Sequence, residues 1–245
     1  MPPSMPRFAE HWRAVEQWLL PGECLLCRDR AGPGDSLICR LCQVRWLPVP
    51  TPQCDRCGQP VDWGGQCRIC SEWPVGFGPV ASAVWLDDSA RRAVHCLKYG
   101  GWHRVADALV TRMVSLAPLA GRAVLLPIPL GASRLQARGY NQSAKIAEAL
   151  AARLGRHVDS ELLVRIRETA SQTTLTPDQR EANLRRAFLA RAAVPERIVL
   201  VDDVFTTGAT LAAAAAALVE AGAKEIGAVT FARAERPLAA VGRLV

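Results

Sequence analysis

Hydrophobic positions along this chain change rhythm near residue 75. Before that point apolar residues come singly or in pairs between polar, glycine-containing turns, and few belong to a sustained pattern. The first twenty residues are an exception. Phe8, Trp12, Val15 and Leu19 recur at helical spacing, with Glu10, Arg13 and Gln17 on the other side, which predicts a short helix over 1–20. Beyond residue 75 short apolar runs alternate with longer segments of helical periodicity.

Residues 74–79, with Gly76 and Gly78 between prolines, read as a linker. Residues 81–86 form the first predicted strand of a second domain. Ser89 is placed to cap a helix containing Ala93, Val94 and Leu97, which stops at Lys98-Tyr-Gly-Gly101. A further helix over 105–116 leads through Pro118 and Gly121 to a strand at 123–126. The loop 131–142 opens into a helix over 143–154. The apolar run 198–201 is too short for a helix and suits a strand buried on both faces; an alanine-rich helix follows over 211–221. This alternation predicts an α/β fold, a mostly parallel sheet with helices on both faces. The predicted divisions are the helix at 1–20, a small module at 21–74 and the α/β domain at 78–245.

With 245 residues, half of them hydrophobic, the chain has material for one good-sized core plus a small module. No window approaches the roughly 18–20 uninterrupted apolar residues of a membrane span. Arg7, Glu10, His11, Arg13 and Glu16 interrupt the N-terminal apolar runs, so no secretion signal is predicted and the expected location is cytoplasmic. The net charge of +7 is unevenly spread: residues 91–191 hold 17 Lys and Arg against 7 Asp and Glu. Such a stretch attracts the phosphates of a small substrate or of nucleic acid, or is simply a solvated arginine-rich surface.

Eight of the nine cysteines form four Cys-x-x-Cys pairs: Cys24 and Cys27, Cys39 and Cys42, Cys54 and Cys57, Cys67 and Cys70. Each pair brings two thiolates to one cation, and zinc takes four in a tetrahedron, so eight ligands make two structural zinc sites. The intervening segments of eleven, eleven and nine residues leave room for short hairpins, and such a module hardly folds without metal. Sequential pairing gives tandem zinc ribbons; crossed pairing serves the chemistry equally. Thioredoxin-type redox chemistry needs a surrounding strand–helix pattern that this segment lacks. Cys96, alone in a helical pattern, reads as a small core residue.

The string Val201-Asp-Asp-Val-Phe-Thr-Thr-Gly-Ala-Thr210 sits where a strand passes into a helix. Free N–H groups at the helix start, the permissive Gly208 and the hydroxyls of Thr206, Thr207 and Thr210 suit a phosphate, with Ala209 contributing its backbone N–H. Asp202 and Asp203 repel phosphate and suit instead the hydroxyls of an attached sugar. The string therefore asks for a ribose 5-phosphate or a nucleotide. It resembles the signature of the type I phosphoribosyltransferases, whose ligand is phosphoribosyl pyrophosphate. Arg134 and Arg138, in a loop on the same rim of the sheet, match the oxygens of the pyrophosphate leaving group. The polar stretch 165–183 reads as a loop that closes over the site.

Taken together, the four cysteine pairs, Leu97-Lys-Tyr-Gly100, Arg138-Gly-Tyr-Asn-Gln142, Arg167-Glu-Thr-x-x-Gln172, Arg180 with Asn183-Leu184, and the aspartate string resemble the ComF family of competence-associated phosphoribosyltransferase-like proteins. Gly131 departs from relatives that carry a histidine or another polar residue there. The resemblance implies a type I phosphoribosyltransferase fold with a hood, a double zinc-ribbon head, and a link to uptake of single-stranded DNA during transformation. Mg²⁺ is expected with the ligand, and Lys98 or Arg167 is expected to complete the clamp. No segment declares a pocket for the acceptor. That gap leaves open a non-catalytic protein that grips single-stranded DNA through the zinc ribbons and basic surface, with Trp46, Trp63, Trp73, Trp85, Trp102 and Tyr99 available for stacking. A scaffold that uses the zinc ribbons to hold a protein partner is the third class, with DNA-uptake proteins among the partners the resemblance implies.

Overall fold

The computed structural model describes residues 22–31, 37–61, 67, 69–119, 121–167 and 187–234. The expected helix over 1–20, most of the expected closing loop, Trp63 and the C-terminal segment lie outside them. Four parallel strands form the central sheet: β1 (Phe77–Trp85), β2 (Val124–Pro127), β5 (Arg197–Phe205) and β6 (Glu225–Arg233), in the order β1-β6-β5-β2. A separate antiparallel pair joins β3 (Leu163–Arg165) to β4 (Phe188–Ala190).

Helices cover both faces, as the alternation of elements requires. Val199, Val201, Val229 and Phe231 point toward α2 (Asp88–Tyr99) and α5 (Gln142–Leu154). Ile198, Leu200, Ile226 and Ala228 point toward α6 (Ala209–Glu220) and the β3–β4 pair. The alternation along each strand is the period-two pattern of a sheet buried on both sides. In α6 the buried Leu211, Ala214, Ala215 and Leu218 make one apolar stripe.

Several boundaries differ from the sequence expectation, each for a local reason. β1 starts at Phe77, so 77–79 belong to the strand and the linker ends by Gly76. Pro79 falls where the β1–β6 register shifts, between Phe77 and Val80, an irregularity that spares a ladder donor. The cap of α2 is Asp87, whose carboxylate accepts the Ala90 N–H at 2.8 Å, and Ser89 lies inside the first turn. The helix expected over 105–116 is broken into 3₁₀ turns around a short α3 (Ala106–Leu109). There burial takes in Val105, Ala106, Ala108, Leu109, Val110 and Met113, more than one helical stripe, and the Thr111 hydroxyl donates to the Ala108 carbonyl at 2.6 Å. The loop expected over 131–142 contains α4 (Ala132–Arg138), closed by Gly139 at φ +79°. Its residues are mostly good helix formers ended by a left-handed glycine, a stop signal that outweighs the loop reading.

The N-terminal module does not sit beside the domain as an appendage. Its first half, around Cys24, Cys39, Cys42 and Trp46 and including the short α1 (Arg40–Val44), belongs to the same core as α2 and α5. Its second half, around Cys57, Cys70 and Trp73, belongs to the core of α6. The chain between them lies along the outer side of β1. Trp85 N–H donates to Leu47 O at 2.8 Å, Pro48 bridges Val84, and Val80 N–H donates to Arg56 O at 2.9 Å. On the far side of the sheet, Leu125 exchanges hydrogen bonds with the 157–159 segment. Among the described residues no helix is long and apolar enough to cross a membrane.

Candidate functional site

The expected strand 198–201 extends through both aspartates to Phe205. β6 runs beside it as far as Arg233 and supplies ladder partners for Asp202, Val204 and Phe205. Asp202 and Asp203 therefore project from the strand itself near its carboxyl end, where ligands bind in open parallel sheets. Thr206 and Thr207 follow as an exposed turn. Gly208 then takes φ +80°, and α6 begins at Ala209. The Ala209 N–H approaches Thr207 Oγ1 at 3.4 Å.

The two carboxylates are held differently. Asp203 is 3% exposed, ion-paired with Lys98 at the end of α2, and accepts Gln142 Nε2–H at 2.9 Å. Asp202 is partly buried and accepts Ser143 Oγ–H at 2.7 Å and the Asp203 backbone N–H at 2.9 Å. Burial and the charge of Asp203 push the Asp202 carboxyl up to about 7, against the lowering effect of Ser143, the Asp203 N–H and Lys98. Gln142 and Ser143, the first residues of α5, thus clasp the pair. They are aimed by Asn141, which caps α5 through Ser143 N–H at 3.0 Å and donates to Ile128 O at 2.9 Å. Ser143 was absent from the sequence expectation. A hydroxyl beside Gln142 at a helix start does not by itself announce a carboxylate 59 residues away.

Beside the aspartates lies a cavity of about 500 Å³ lined by Lys98, Tyr99, Arg134, Arg138 and Gln142 among others. Arg134 and Arg138 are four residues apart on α4 and so share a face. Arg138 stacks on Tyr99 at 5.0 Å and donates through Nη1 to Gln142 Oε1. Gly131, the N-cap of α4, accepts the Leu135 N–H at 3.0 Å, a backbone role that asks nothing of a side chain. The structure thus brings Lys98, Asp203, Gln142 and Arg138 into one hydrogen-bonded chain, with Asp202 next to it and Arg134 lining the same cavity. Arg167 lies past β3, its carbonyl accepting Arg165 Nε–H at 3.2 Å.

The cysteines gather into two sets, Cys24, Cys27, Cys39 and Cys42, and Cys54, Cys57, Cys67 and Cys70, with all Sγ atoms of a set within 4.8 Å. Pairing is sequential, and the crossed alternative is excluded. A tetrahedron with zinc–sulfur bonds of roughly 2.3 Å has corners about 3.8 Å apart. Cys24 and Cys42 are 3.9 Å apart, Cys27 and Cys39 3.8 Å, and Cys54 and Cys70 3.7 Å. The backbone N–H groups of Leu26 and Cys39 point at Cys24 Sγ from 3.4 and 3.3 Å, as suits a thiolate. These donor sets fit structural zinc, the four ligands leaving no open position for chemistry.

Known families match in the same two places: a double zinc ribbon domain over residues 15–71 and a phosphoribosyl transferase domain over 141–240. The DNA utilization protein YhgH of Salmonella typhi is 32% identical over 216 residues, covering 84% of this chain and 95% of that protein. The chain belongs to the ComF family. Competence protein F of Haemophilus influenzae is 26% identical, covering 86% of this chain and 96% of its own. Competence protein ComFC of Bacillus subtilis, also 26% identical, covers 77% and 80%. This member keeps a mostly parallel sheet behind two ribbon-like cysteine sites.

Proposed function

We propose that this chain binds phosphoribosyl pyrophosphate at the β5–α6 corner and transfers its phosphoribosyl group to an acceptor. The observation that carries this is the juxtaposition on one sheet rim of a glycine-turned helix start, two clasped aspartates and a cationic cavity. Backbone N–H groups of 206–210 receive the 5-phosphate. Asp202 and Asp203 accept from the ribose 2- and 3-hydroxyls, while Lys98, Arg134 and Arg138 receive the pyrophosphate. Asp202, pushed up by burial and by the charge of Asp203, would be relieved by a divalent cation carried in on the ligand. Mg²⁺ would neutralise phosphate oxygens there. The bond from the anomeric carbon to pyrophosphate breaks with its electrons leaving on the phosphate. The acceptor's lone pair makes the new bond and the acceptor gives up a proton. Positioning and charge stabilisation suffice, with no covalent enzyme intermediate. Eight thiolate ligands suit the reducing cytoplasm.

Titration calorimetry of phosphoribosyl pyrophosphate with Mg²⁺ tests this. Micromolar binding is expected, lost in the Asp202→Asn/Asp203→Asn variant. No heat from folded, zinc-loaded protein would sink the reading.

A second reading draws on Tyr99, which lines the cationic cavity, and Trp102, next in sequence to its Gly101; they are exposed by 68% and 46%. Exposed aromatics beside cations suit single-stranded DNA, in keeping with the competence and DNA-utilization names of the relatives. Trp46 and Trp73 are packed in the core and do not serve this role. Oligonucleotide affinity that falls steeply with salt and survives the double Asp→Asn change would favour it.

A further inference from the structure

The phosphate-binding turn does not stand on the sheet alone. Directly beneath Gly208 lies Trp73, three residues beyond the last cysteine of the second cluster. A Cβ placed on Gly208 would lie 2.6 Å from the Trp73 ring and 2.8 Å from the Phe205 ring. Trp73 is 9% exposed and packs against Phe77 at 4.7 Å and Phe205 at 6.2 Å between centroids. Its N–H donates to Cys70 O at 3.3 Å, so its backbone is tied to the metal-ligand turn.

Two arginines fasten this footing. Arg56, between the ligands Cys54 and Cys57, donates to Phe77 O at 3.1 Å, Cys70 O at 2.8 Å, Trp73 O at 2.9 Å and Pro74 O at 2.7 Å. Arg233, at the end of β6 and 1% exposed, donates to Cys57 O and lays its guanidinium 3.8 Å from the centroid of the Phe205 ring. Phe205 is the residue before the turn. Contacts therefore run from the second cysteine cluster through Trp73 and Arg233 to both ends of the 206–208 segment. The first cluster packs elsewhere, against α2, where Arg92 donates to Leu26 O at 3.4 Å.

From this arrangement we infer that Trp73 is a positioning residue for the phosphate turn, held in place by the second four-cysteine site and independent of the first. Gly208 is required for two reasons at once: its left-handed φ, and the lack of room above an indole. A loosened second site lets the indole withdraw, and the turn loses the surface that holds its N–H groups together. The inference rests on the reading of 206–210 as a phosphate site, but its structural part is measurable without ligand.

The test uses the full-length, zinc-loaded chain and four variants: Trp73→Ala, Trp73→Phe, Cys67→Ser and Cys27→Ser. Hydrogen exchange is followed in peptides covering 204–211, with zinc content measured alongside. Binding is probed with ribose 5-phosphate and with phosphoribosyl pyrophosphate plus Mg²⁺. Trp73→Ala is expected to keep both zinc ions yet exchange about tenfold faster in the turn and bind about tenfold more weakly. Trp73→Phe should restore most of both. Cys67→Ser should loosen the turn and Cys27→Ser should not. Wild-type protection in zinc-loaded Trp73→Ala overturns the inference, as does equal loosening by the two cysteine variants. Absence of binding to the unaltered protein counts against the proposed ligand, while the exchange data still decide the coupling.

Discussion

Asp202 occupies a position that costs the folded chain stability. Its carboxyl is raised from the ordinary range near ~4 to about 7 by burial and by Asp203. The native state thus keeps a proton that the unfolded chain has already released, so stability falls as pH climbs through that window and is lowest above it. Asp202→Asn preserves the acceptor for Ser143 and removes the charge. It is expected to stabilise the ligand-free protein by about 1–2 kcal/mol at pH 8 and by little near pH 4, read from denaturant midpoints at the two pH values. A stability difference with no pH dependence would contradict this. Both aspartates and the glycine were legible in the sequence because they form one uninterrupted string. Ser143, Arg56 and Trp73 were not legible in their present roles, since each acts through a segment remote along the chain.

Among the elements, α4 changes the most from expectation to structure. As a loop, residues 131–142 would offer Arg134 and Arg138 at unspecified spacing. As a helix between Gly131 and a left-handed Gly139, they are presented on one side, lining the same cavity as Lys98. Arg138 is already engaged with Gln142 and Tyr99, whereas Arg134 is exposed. Arg134→Ala is accordingly expected to weaken inorganic pyrophosphate binding roughly tenfold, as loss of a charge-assisted contact does, and to leave the melting temperature unchanged. Calorimetry alongside a thermal scan separates the two effects; unchanged pyrophosphate affinity would remove Arg134 from the site. Strand and helix identities were readable from apolar periodicity, but their ends were not. β5 is prolonged by β6 alongside it, and the helix expected over 105–116 is broken by burial on more than one side; neither neighbour is visible in a local window.

For the molecule as a whole, the cysteine spacing announced two metal sites and the alternating pattern announced the sheet. How the two parts meet was not encoded in any local signal, because it depends on contacts between residues such as Trp46 and Phe231, whose rings meet edge to face at 4.8 Å. The two halves of the module close over opposite faces of the sheet, and the chain joining them occupies the outer side of β1. That covering has a consequence for the protein's solubility. Backbone groups of β1 now engaged by Leu47, Pro48 and Arg56 would be left open if the cysteine sites lost their metal, and an open strand edge recruits other strands. Zinc starvation should then show itself as self-association before loss of helix. Light scattering after chelation is expected to rise while far-ultraviolet dichroism still reports α2, α5 and α6, and restoring zinc early should arrest it. Helix loss preceding any scattering would show that the strand edge stays guarded without metal. On this expectation zinc acts at the surface, keeping one strand edge closed to other chains.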